Sequence, residues 1–584
     1  MNRNERRAAA KRAASALSAA DLLARAKQYF EQGAFSQAED MCGQIVTREP
    51  AHVGALNLSA LAAQAAGRHN VAIKRLRAAI AVDPRDAAFP YNLALSYQAL
   101  GRRDEAADSF RRAIALGLSG KRVEDVIAQN PTIGACLARL EQRWPLSIPN
   151  GELFGTSGLT AIAADVFFRS VLETVLIRRP IVEAFLIQLR SALLALATAE
   201  PGKSDDDLMA LFCAVAQQCF ITEYVYPQSE QETRQAERLR DALLQGDHSP
   251  LTLAAVAAYG PLHTLPDAAS LADKPWPAPA ARLIRQQISE PLEELRDRAA
   301  IPALTPIDDE TSRAVQNQYE ENPYPRWTTL SLQPAATGAP PEEILIAGCG
   351  TGKHSISIAL LEPNARILAV DISRASLAYA RRKTREAGIS TIDYAQADIL
   401  RLGALQRRFD VVESAGVLHH LADPFAGWRT LLSLLKPQGR MCIGLYSEIA
   451  RRDILQARDF VAERGLLPTL DGIRKFRQEI LRGDARGRWD NLTSFSDFYS
   501  VSGCRDLAFH VMEHNFTLPQ IKAFLNAENL EFLGFELAPD VLQAFARKFP
   551  SAAPTDLDAW HIFETENPTT FREMYLMWMQ RRVG

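Results

Sequence analysis

Apolar positions along the chain fall into two regimes. Up to about residue 305 they recur at three and four, the spacing of one helical face; beyond residue 340 they gather into short runs of strand length. The helical part opens on a 34-residue period. Gly33, Gly67 and Gly101 keep it, as do Ala26, Ala60 and Ala94, Ala38, Ala72 and Ala106, and Val46, Ile80 and Ile114. Pro50 and Pro84 close two of the units. This spacing predicts three helix–turn–helix units at 19–52, 53–86 and 87–120. The glycine and alanines are expected where antiparallel helices approach closely, and the proline where the second helix ends.

From 121 to 305 the pattern predicts a helical platform. DVFFRSVLETVLIRRPIVEAFLIQLRSALLAL reads as two helices parted at Pro180, and DDDLMALFCAVAQQCFITEYVY as a third with acids in its first turn. ADKPWPAPAARL is a proline-rich joint, and the stretch offers no recognisable chemistry. Strands are then expected at Ile344–Ala347, at RILAVD ending in Asp371, at TIDYAQADIL ending near Asp398, at Asp410–Ser414 and at Arg440–Tyr446 after a Pro-Gln-Gly turn. GFEL at 534–537 fits a sixth strand, and REMYLMWMQ, with Tyr575 and Trp578, a final strand or a core helix. Helical segments alternate with the first strands, which predicts a parallel sheet covered on both faces.

Composition narrows the function. With 584 residues, 47% hydrophobic and 23% charged, the chain has material for several globular domains. A net charge of −3 gives no electrostatic footprint for nucleic acid. Residues 1–120 carry 17 Lys/Arg against 11 Asp/Glu, about +6, which suits a mildly acidic partner. The seven cysteines are scattered, odd in number and never spaced C-x-x-C. They read as reduced thiols of a cytoplasmic protein, not as a disulfide frame or zinc site. No run of about 18 apolar residues predicts a membrane span. Residues 1–18 read as a basic tail without the apolar core of a signal peptide, and an organelle transit peptide stays open.

The chemistry gathers after residue 340. Gly348, Gly350 and Gly352 follow the first strand and precede a helix. Glycines there allow positive φ and close backbone approach to a ligand, and the helix start adds free N–H groups. The dinucleotide fingerprint would need a third glycine where Lys353 stands, and no G-K-[ST] follows, so a nicotinamide dehydrogenase does not fit. Asp371, 19 residues after Gly352, is placed to accept both ribose hydroxyls of a nucleoside.

The 34-residue units resemble tetratricopeptide repeats, which implies a protein partner or protein substrate bound through 19–120; packing on a neighbouring domain or dimerisation is the other reading. GCGTG at 348–352, VLHHL at 417–421 and LKPQG at 435–439 together resemble the class I S-adenosylmethionine-dependent methyltransferases over about 340–447. The resemblance implies a multidomain chain: a helical repeat solenoid, a helical middle region and a Rossmann-like α/β domain of seven strands. That domain is expected as a core at 306–448, an acceptor-site insertion at 449–528 and closing strands at 529–584. The implied cofactor is S-adenosylmethionine, with Gly348, Gly350 and Gly352 lining it and Asp371 on the ribose. Asp398 is implied at the adenine amino group, Ile372 and Ile399 on the ring faces, and Ser414 and Ala415 at the far side. One position departs. The family often has an acid two residues before the first glycine, where it helps set the loop and the cofactor amino group; here it is Ile346.

The segment Gln318–Trp327, QYEENPYPRW, has prolines at 323 and 325 that forbid regular helix or central strand there. Its aromatic load is expected either to cover the cofactor, with Tyr319, Tyr324 and Trp327 around the sulfonium and Arg326 on a carboxylate, or to pack on the core. His419 and His420 after the fourth strand, and Tyr446 after the fifth, are candidates for a base or for acceptor orientation; helix-start histidines satisfied by backbone are the plainer reading. His510-Val-Met-Glu513-His514 has the inverted zinc-protease spacing, which on a helix would put both histidines on one face. It lacks a third ligand, so no metal is expected, and substrate-site polar groups or structural histidines are the readings kept. The function expected is methyl transfer to an unidentified acceptor recruited by the repeats. The alternatives are a small-molecule or saccharide methyltransferase that the repeats only tether, and a non-catalytic repeat scaffold with a degenerate methyltransferase fold.

Overall fold

The computed structural model describes residues 17–118, 120–199, 205–330, 341–483 and 489–582. The expected basic tail lies outside them except for its last two residues, of which Ser18 caps the first helix by accepting from the Asp21 N–H.

The described residues form two compact units. The first holds three helix pairs: α1 (Ala19–Glu31) with α2 (Phe35–Arg48), α3 (Val53–Ala65) with α4 (His69–Val82), and α5 (Ala88–Ala99) with α6 (Arg103–Ala115). The periodic alanines are buried at the pair contacts; Ala26, Ala38, Ala60, Ala72, Ala94 and Ala106 are all fully covered. The glycines do something other than expected. Gly33, Gly67 and Gly101 sit in the turns at φ of +75°, +73° and +70°, and a Cβ added at any of them would meet nothing within 4 Å. They are required by left-handed backbone after each first helix, not by close helix approach. The unit also reaches past residue 120. Helix Val166–Thr174 belongs to it, with Phe167 edge-on to Phe110 at 5.1 Å and Glu173 paired with Arg111 at 2.7 Å.

The second unit is built on a seven-stranded sheet: β1 (Glu343–Ala347), β2 (Arg366–Asp371), β3 (Ile392–Gln396), β4 (Phe409–Ala415), β5 (Leu435–Leu445), β6 (Leu530–Phe535) and β7 (Tyr575–Arg581), in the order β3-β2-β1-β4-β5-β7-β6. The sheet is mixed, against the expectation of a parallel one. β7 runs antiparallel to both β5 and β6. The physical reason is the chain return: β6 ends and β7 begins at the same end of the sheet, Phe535 facing Met577, so the chain turns back antiparallel without crossing to the other end. The sixth strand also ends at Phe535, earlier than GFEL suggested, and the Pro-Gln-Gly turn is a bulge inside β5, since Phe409 pairs with Leu435 and Val411 with Arg440.

One sheet face carries Leu345, Val412, Met441, Ile443 and Met577 into a large apolar core. On the other, helices Lys353–Leu361 and Arg374–Glu386 cover β1–β3, while β4, β5 and β7 floor a cavity, so the described residues do not fully cover this face. Ahead of the sheet, helix Glu290–Ala300 lies on Arg374–Glu386 and pairs Glu290 and Glu294 with Arg382, which also pairs with Glu386 of its own helix.

Helix Pro180–Ala199 is, among the described residues, long and apolar enough to cross a membrane. It nevertheless carries two buried charges into the second unit. Glu183 forms a two-pronged pair with Arg477 at 2.6 and 3.1 Å, and Arg190 lies over the Tyr259 ring at 4.4 Å. Both members of the Glu183–Arg477 pair are almost fully buried. Removing one partner leaves an uncompensated buried charge, so Glu183→Ala is expected to cost about 3–5 kcal/mol. Urea unfolding followed by tryptophan fluorescence measures this; a loss under about 1 kcal/mol would mean Arg477 finds water instead.

Candidate functional site

A cavity of about 1600 Å³ opens at the C-terminal ends of β1, β2 and β4. At its mouth the glycine loop turns through three left-handed residues, Gly348 at φ +79°, Gly350 at +53° and Gly352 at +80°. A Cβ at Gly348 would fall 2.3 Å from Val417, one at Gly350 would fall 2.9 Å from the Tyr324 carbonyl oxygen, and one at Gly352 would fall 2.5 Å from Ala380. Each glycine is therefore demanded by the protein's own neighbours as well as by its backbone. Gly348 and Gly350 line the cavity; Gly352 packs on helix Arg374–Glu386 and does not.

The acids at the strand ends are both in the cavity wall. Asp371 Oδ2 accepts from Gly350 N–H at 2.8 Å and Oδ1 from Ser373 N–H at 2.9 Å, so one carboxylate braces the loop from below. Burial pushes its pKa up to about 6 against these backbone bonds. Asp398 caps a short helical turn through Leu400 N–H at 2.9 Å. Ile372, Ile399 and Ala415 line the cavity beside them. Ser414 does not: it lies on the opposite face of β4, buried in the core, because side chains alternate along a strand.

Gln318–Trp327 starts as the last turn of helix Glu310–Glu321 and then crosses the glycine loop. Thr351 Oγ1 donates to the Pro325 carbonyl, and Trp327 Nε1–H to the Thr351 carbonyl at 3.1 Å. Tyr319 and Tyr324 wall the cavity with their rings while their hydroxyls point away from it. Tyr319 Oη–H donates to Asp506 at 2.6 Å and Tyr324 Oη–H to Asp497 at 2.6 Å. Arg326 and Trp327 are outside the cavity. Arg326 pairs with Glu223 at 3.3 Å, and Trp327 packs edge-on to Tyr379, so for these two the core-packing reading holds.

The histidines form a buried stack. His510 lies face to face with His420, ring centres 3.7 Å apart; His420 is edge-on to His419 at 4.3 Å; His419 stacks on Tyr446 at 3.7 Å. Burial holds all three imidazoles neutral, with His420 pulled down to about 3. Hydrogen bonds fix two tautomers. His420 Nδ1–H donates to the Met512 carbonyl at 2.7 Å, leaving Nε2 as an acceptor. His510 Nδ1 accepts from Met512 N–H at 3.1 Å, so its Nε2–H donates to Tyr319 Oη at 3.1 Å. His420 and Tyr446 line the cavity; His419, His510 and His514 do not. The H-x-x-E-H segment is not helical either. Helix Val501–Phe509 ends at His510, whose ψ is 136°, and Glu513 turns to a buried pair with Arg451 at 2.9 Å.

Residues 342–464 match a family model described as Methyltransferase domain. The chain carries a methyltransferase domain. A methyltransferase domain implies S-adenosylmethionine as its cofactor. An uncharacterised protein of Synechococcus is 29% identical over 41% of this chain and 64% of that one. The ubiquinone biosynthesis O-methyltransferase of Azotobacter vinelandii is 32% identical over 25% of this chain and 62% of its own. The chain thus spans less than two thirds of the length of these relatives. The solved structure of PKMT2 from Rickettsia typhi in complex with AdoHcy aligns over 47% of this chain and 53% of that one, at 16% identity and a TM-score of 0.32.

The methyltransferase domain has room and donors for this cofactor. The cavity exceeds the roughly 300–1,000 Å³ usual for a small-molecule site, and Asp371 and Asp398 each keep free lone pairs on its wall. Two residues of the domain escaped sequence reasoning. Asp497 and Asp506 meet tyrosines 173 and 187 residues away, and no local signal marks such pairs. Asp506 also comes within ligand distance of His420 and His510. Parallel imidazoles stacked ring on ring cannot both aim an in-plane lone pair at one ion, so the stack serves packing and proton placement.

Burial raises the Asp506 pKa to about 7; Asp497 and Glu513 add to the rise, while Tyr319 and Arg451 oppose it. A carboxyl whose folded pKa lies above its unfolded value stabilises the fold when protonated, and that contribution is lost as pH rises toward 7. Asp506→Asn keeps an oxygen for Tyr319 and is expected to lose less Tm than the parent from about pH 5 to 8. Identical pH slopes in calorimetric scans would mean that Asp506 is ionised throughout.

Proposed function

We propose that the chain transfers the methyl group of S-adenosylmethionine to an acceptor presented between Gln318–Trp327 and the 449–528 segment, and that its 34-residue helix pairs act as a tetratricopeptide array recruiting a protein partner or substrate. One observation carries the cofactor half of the reading: at the cavity mouth the carboxylate of Asp371 holds the N–H of Gly350, and the Tyr324 carbonyl lies so close to the same residue that only glycine fits. In this reading Gly348, Gly350 and Asp371 hold the sugar and chain of the cofactor, and Asp398, Ile372 and Ile399 its base.

When bound, the cofactor supplies an electrophilic methyl on a sulfonium. The chain's own part is alignment and exclusion of water. The rings of Tyr319, Tyr324 and Tyr446 offer faces that favour a cation, and the hydroxyls of the first two are tied to Asp506 and Asp497. His420 Nε2, unprotonated at neutral pH, orients the hydrogen of an attacking group, while the Met512 carbonyl fixes its tautomer. The repeat half of the reading rests on the 34-residue period, the helix pairs and the local positive charge. A second reading, a small-molecule hydroxyl acceptor with a merely tethering array, is favoured by the O-methyltransferase relatives.

Calorimetric titration of the full chain with S-adenosylmethionine and S-adenosylhomocysteine tests the first half. Asp371→Ala is expected to weaken binding by about 1.5–3 kcal/mol, roughly ten- to hundred-fold in Kd. No binding by the folded parent would favour a non-catalytic scaffold, for which Ile346 speaks. For the acceptor, labelled methyl transfer in a cell lysate should deposit label in the protein fraction. Label confined to small molecules would move the assignment to the second reading.

A further inference from the structure

The cavity is larger than one cofactor requires, and the surplus has a direction. It continues from Gly348 down the sheet face formed by β4, β5 and β7, where Val411, Glu413, Cys442, Leu576 and Trp578 form the floor. That floor is mostly apolar, yet at its centre stands a carboxylate: Glu413 is only 5% exposed. The register of β1 and β4 makes Glu413 the partner of Ile346. Gly348 is two residues further along β1, one pleat or about 6.6 Å. β1 therefore has no carboxylate of its own beneath the glycine loop, and the neighbouring strand supplies one on the same face.

What holds Glu413 is incomplete. Its Oε2 pairs with His354 Nε2, on the first turn of the helix that the glycine loop feeds, and Oε1 has no partner among the described residues. Asp371 accepts two backbone N–H groups and Asp398 one; Glu413 accepts none among the described residues. A carboxylate has about four acceptor positions, and a charge in an apolar floor is costly unless paired. His354 is 47% exposed at the cavity edge, so its hold on the carboxylate is one-sided. Arg440 lines the same floor but lies over the Trp578 ring, 5.9 Å from its centre, and forms no ion pair with Glu413 among the described residues, so the place at Oε1 suits another, small cation that can enter beneath the loop.

S-adenosylmethionine carries one: the α-ammonium of its amino-acid end. Asp371 and Asp398 occupy the side of the cleft toward β2 and β3, which leaves the β1–β4 side for that end of the molecule. We propose that Glu413 receives the α-ammonium of the cofactor through Oε1 while His354 stays on Oε2, an assignment that rests on the cofactor reading above. Glu413 is thereby a binding residue for the amino-acid end of the cofactor, separate from the nucleoside contacts of Asp371 and Asp398.

Two probes separate those contacts: S-adenosylhomocysteine, which has the amino-acid group, and 5′-methylthioadenosine, which lacks it. Titrated into the full chain, the parent is expected to prefer the first clearly. Glu413→Gln should lower affinity for S-adenosylhomocysteine by about ten-fold or more, as loss of a charged hydrogen bond does, while 5′-methylthioadenosine stays within about two-fold. Retained binding of the second probe also shows that the variant is folded. His354→Gln should leave the preference within about three-fold of the parent. An unchanged preference in Glu413→Gln overturns the proposal, whether both affinities hold or both fall together. So does an equal collapse of the preference in His354→Gln, which would make the pair a structural unit. A parent that binds neither probe removes the cofactor reading itself, and this assignment with it.

Discussion

The cleft depends on one close approach, the Tyr324 carbonyl against Gly350. Any side chain at position 350 would bring a carbon to 2.9 Å from that oxygen, so only glycine lets the crossing segment lie so low. From below, Asp371 holds the N–H of the same residue. At Gly350 the loop thus lies between a strand-end carboxylate that bonds it and a backbone carbonyl that leaves no room for a side chain. Once the crossing is fixed, Trp327 and Thr351 fasten the outer end and Tyr319 and Tyr324 are carried to the cavity wall. The same contact that shapes the loop thus decides which aromatic rings the cavity sees.

Around this crossing the domain has gathered groups whose charged forms are disfavoured. Desolvation raises Asp371, Asp497 and Asp506 and lowers His419, His420 and His510. The outcome is a neutral His420 on the cavity wall beside aromatic rings, with carboxylates near it whose pKa values burial has raised. In a low-dielectric cleft such an arrangement rewards a sulfonium more than water does, and it needs no reorganisation at the moment of reaction. Arg451 is the counterweight. It sits 3.5 Å over the Tyr446 ring and is neutralised by Glu513, so its charge is spent within the wall.

Much of this was legible in the sequence wherever the cause was local. The 34-residue period marks helix pairs because each turn and each buried alanine is set by near neighbours. The strand ends bearing Asp371 and Asp398, and the glycine loop between them, follow from short patterns of the same kind. Failures came where distant segments decide. The family resemblance implies Ser414 at the cofactor, but alternation along β4 turns it to the other face. Arg326 and Trp327 look like ligand contacts by residue type, but Glu223 and Tyr379 had already claimed them. The H-x-x-E-H spacing implied a helix that stops one residue short of it. β7 reverses because the chain stays at one end of the sheet after β6, which no strand pattern encodes.

The two tyrosine–aspartate ties have a consequence for the order in which this molecule can be built. A chain made from its N-terminus lays down Tyr319, Tyr324 and then the glycine loop long before Asp497 and Asp506 exist. Until those carboxylates emerge, two phenols lack the acceptors that orient them, and the roof of the cleft rests on the glycine loop, Glu223 and Tyr379 alone among the partners described above. β7, which sits inside the sheet, comes later still. The cavity is therefore among the last features of the nascent chain to close, after the helical half has had the whole of synthesis to settle.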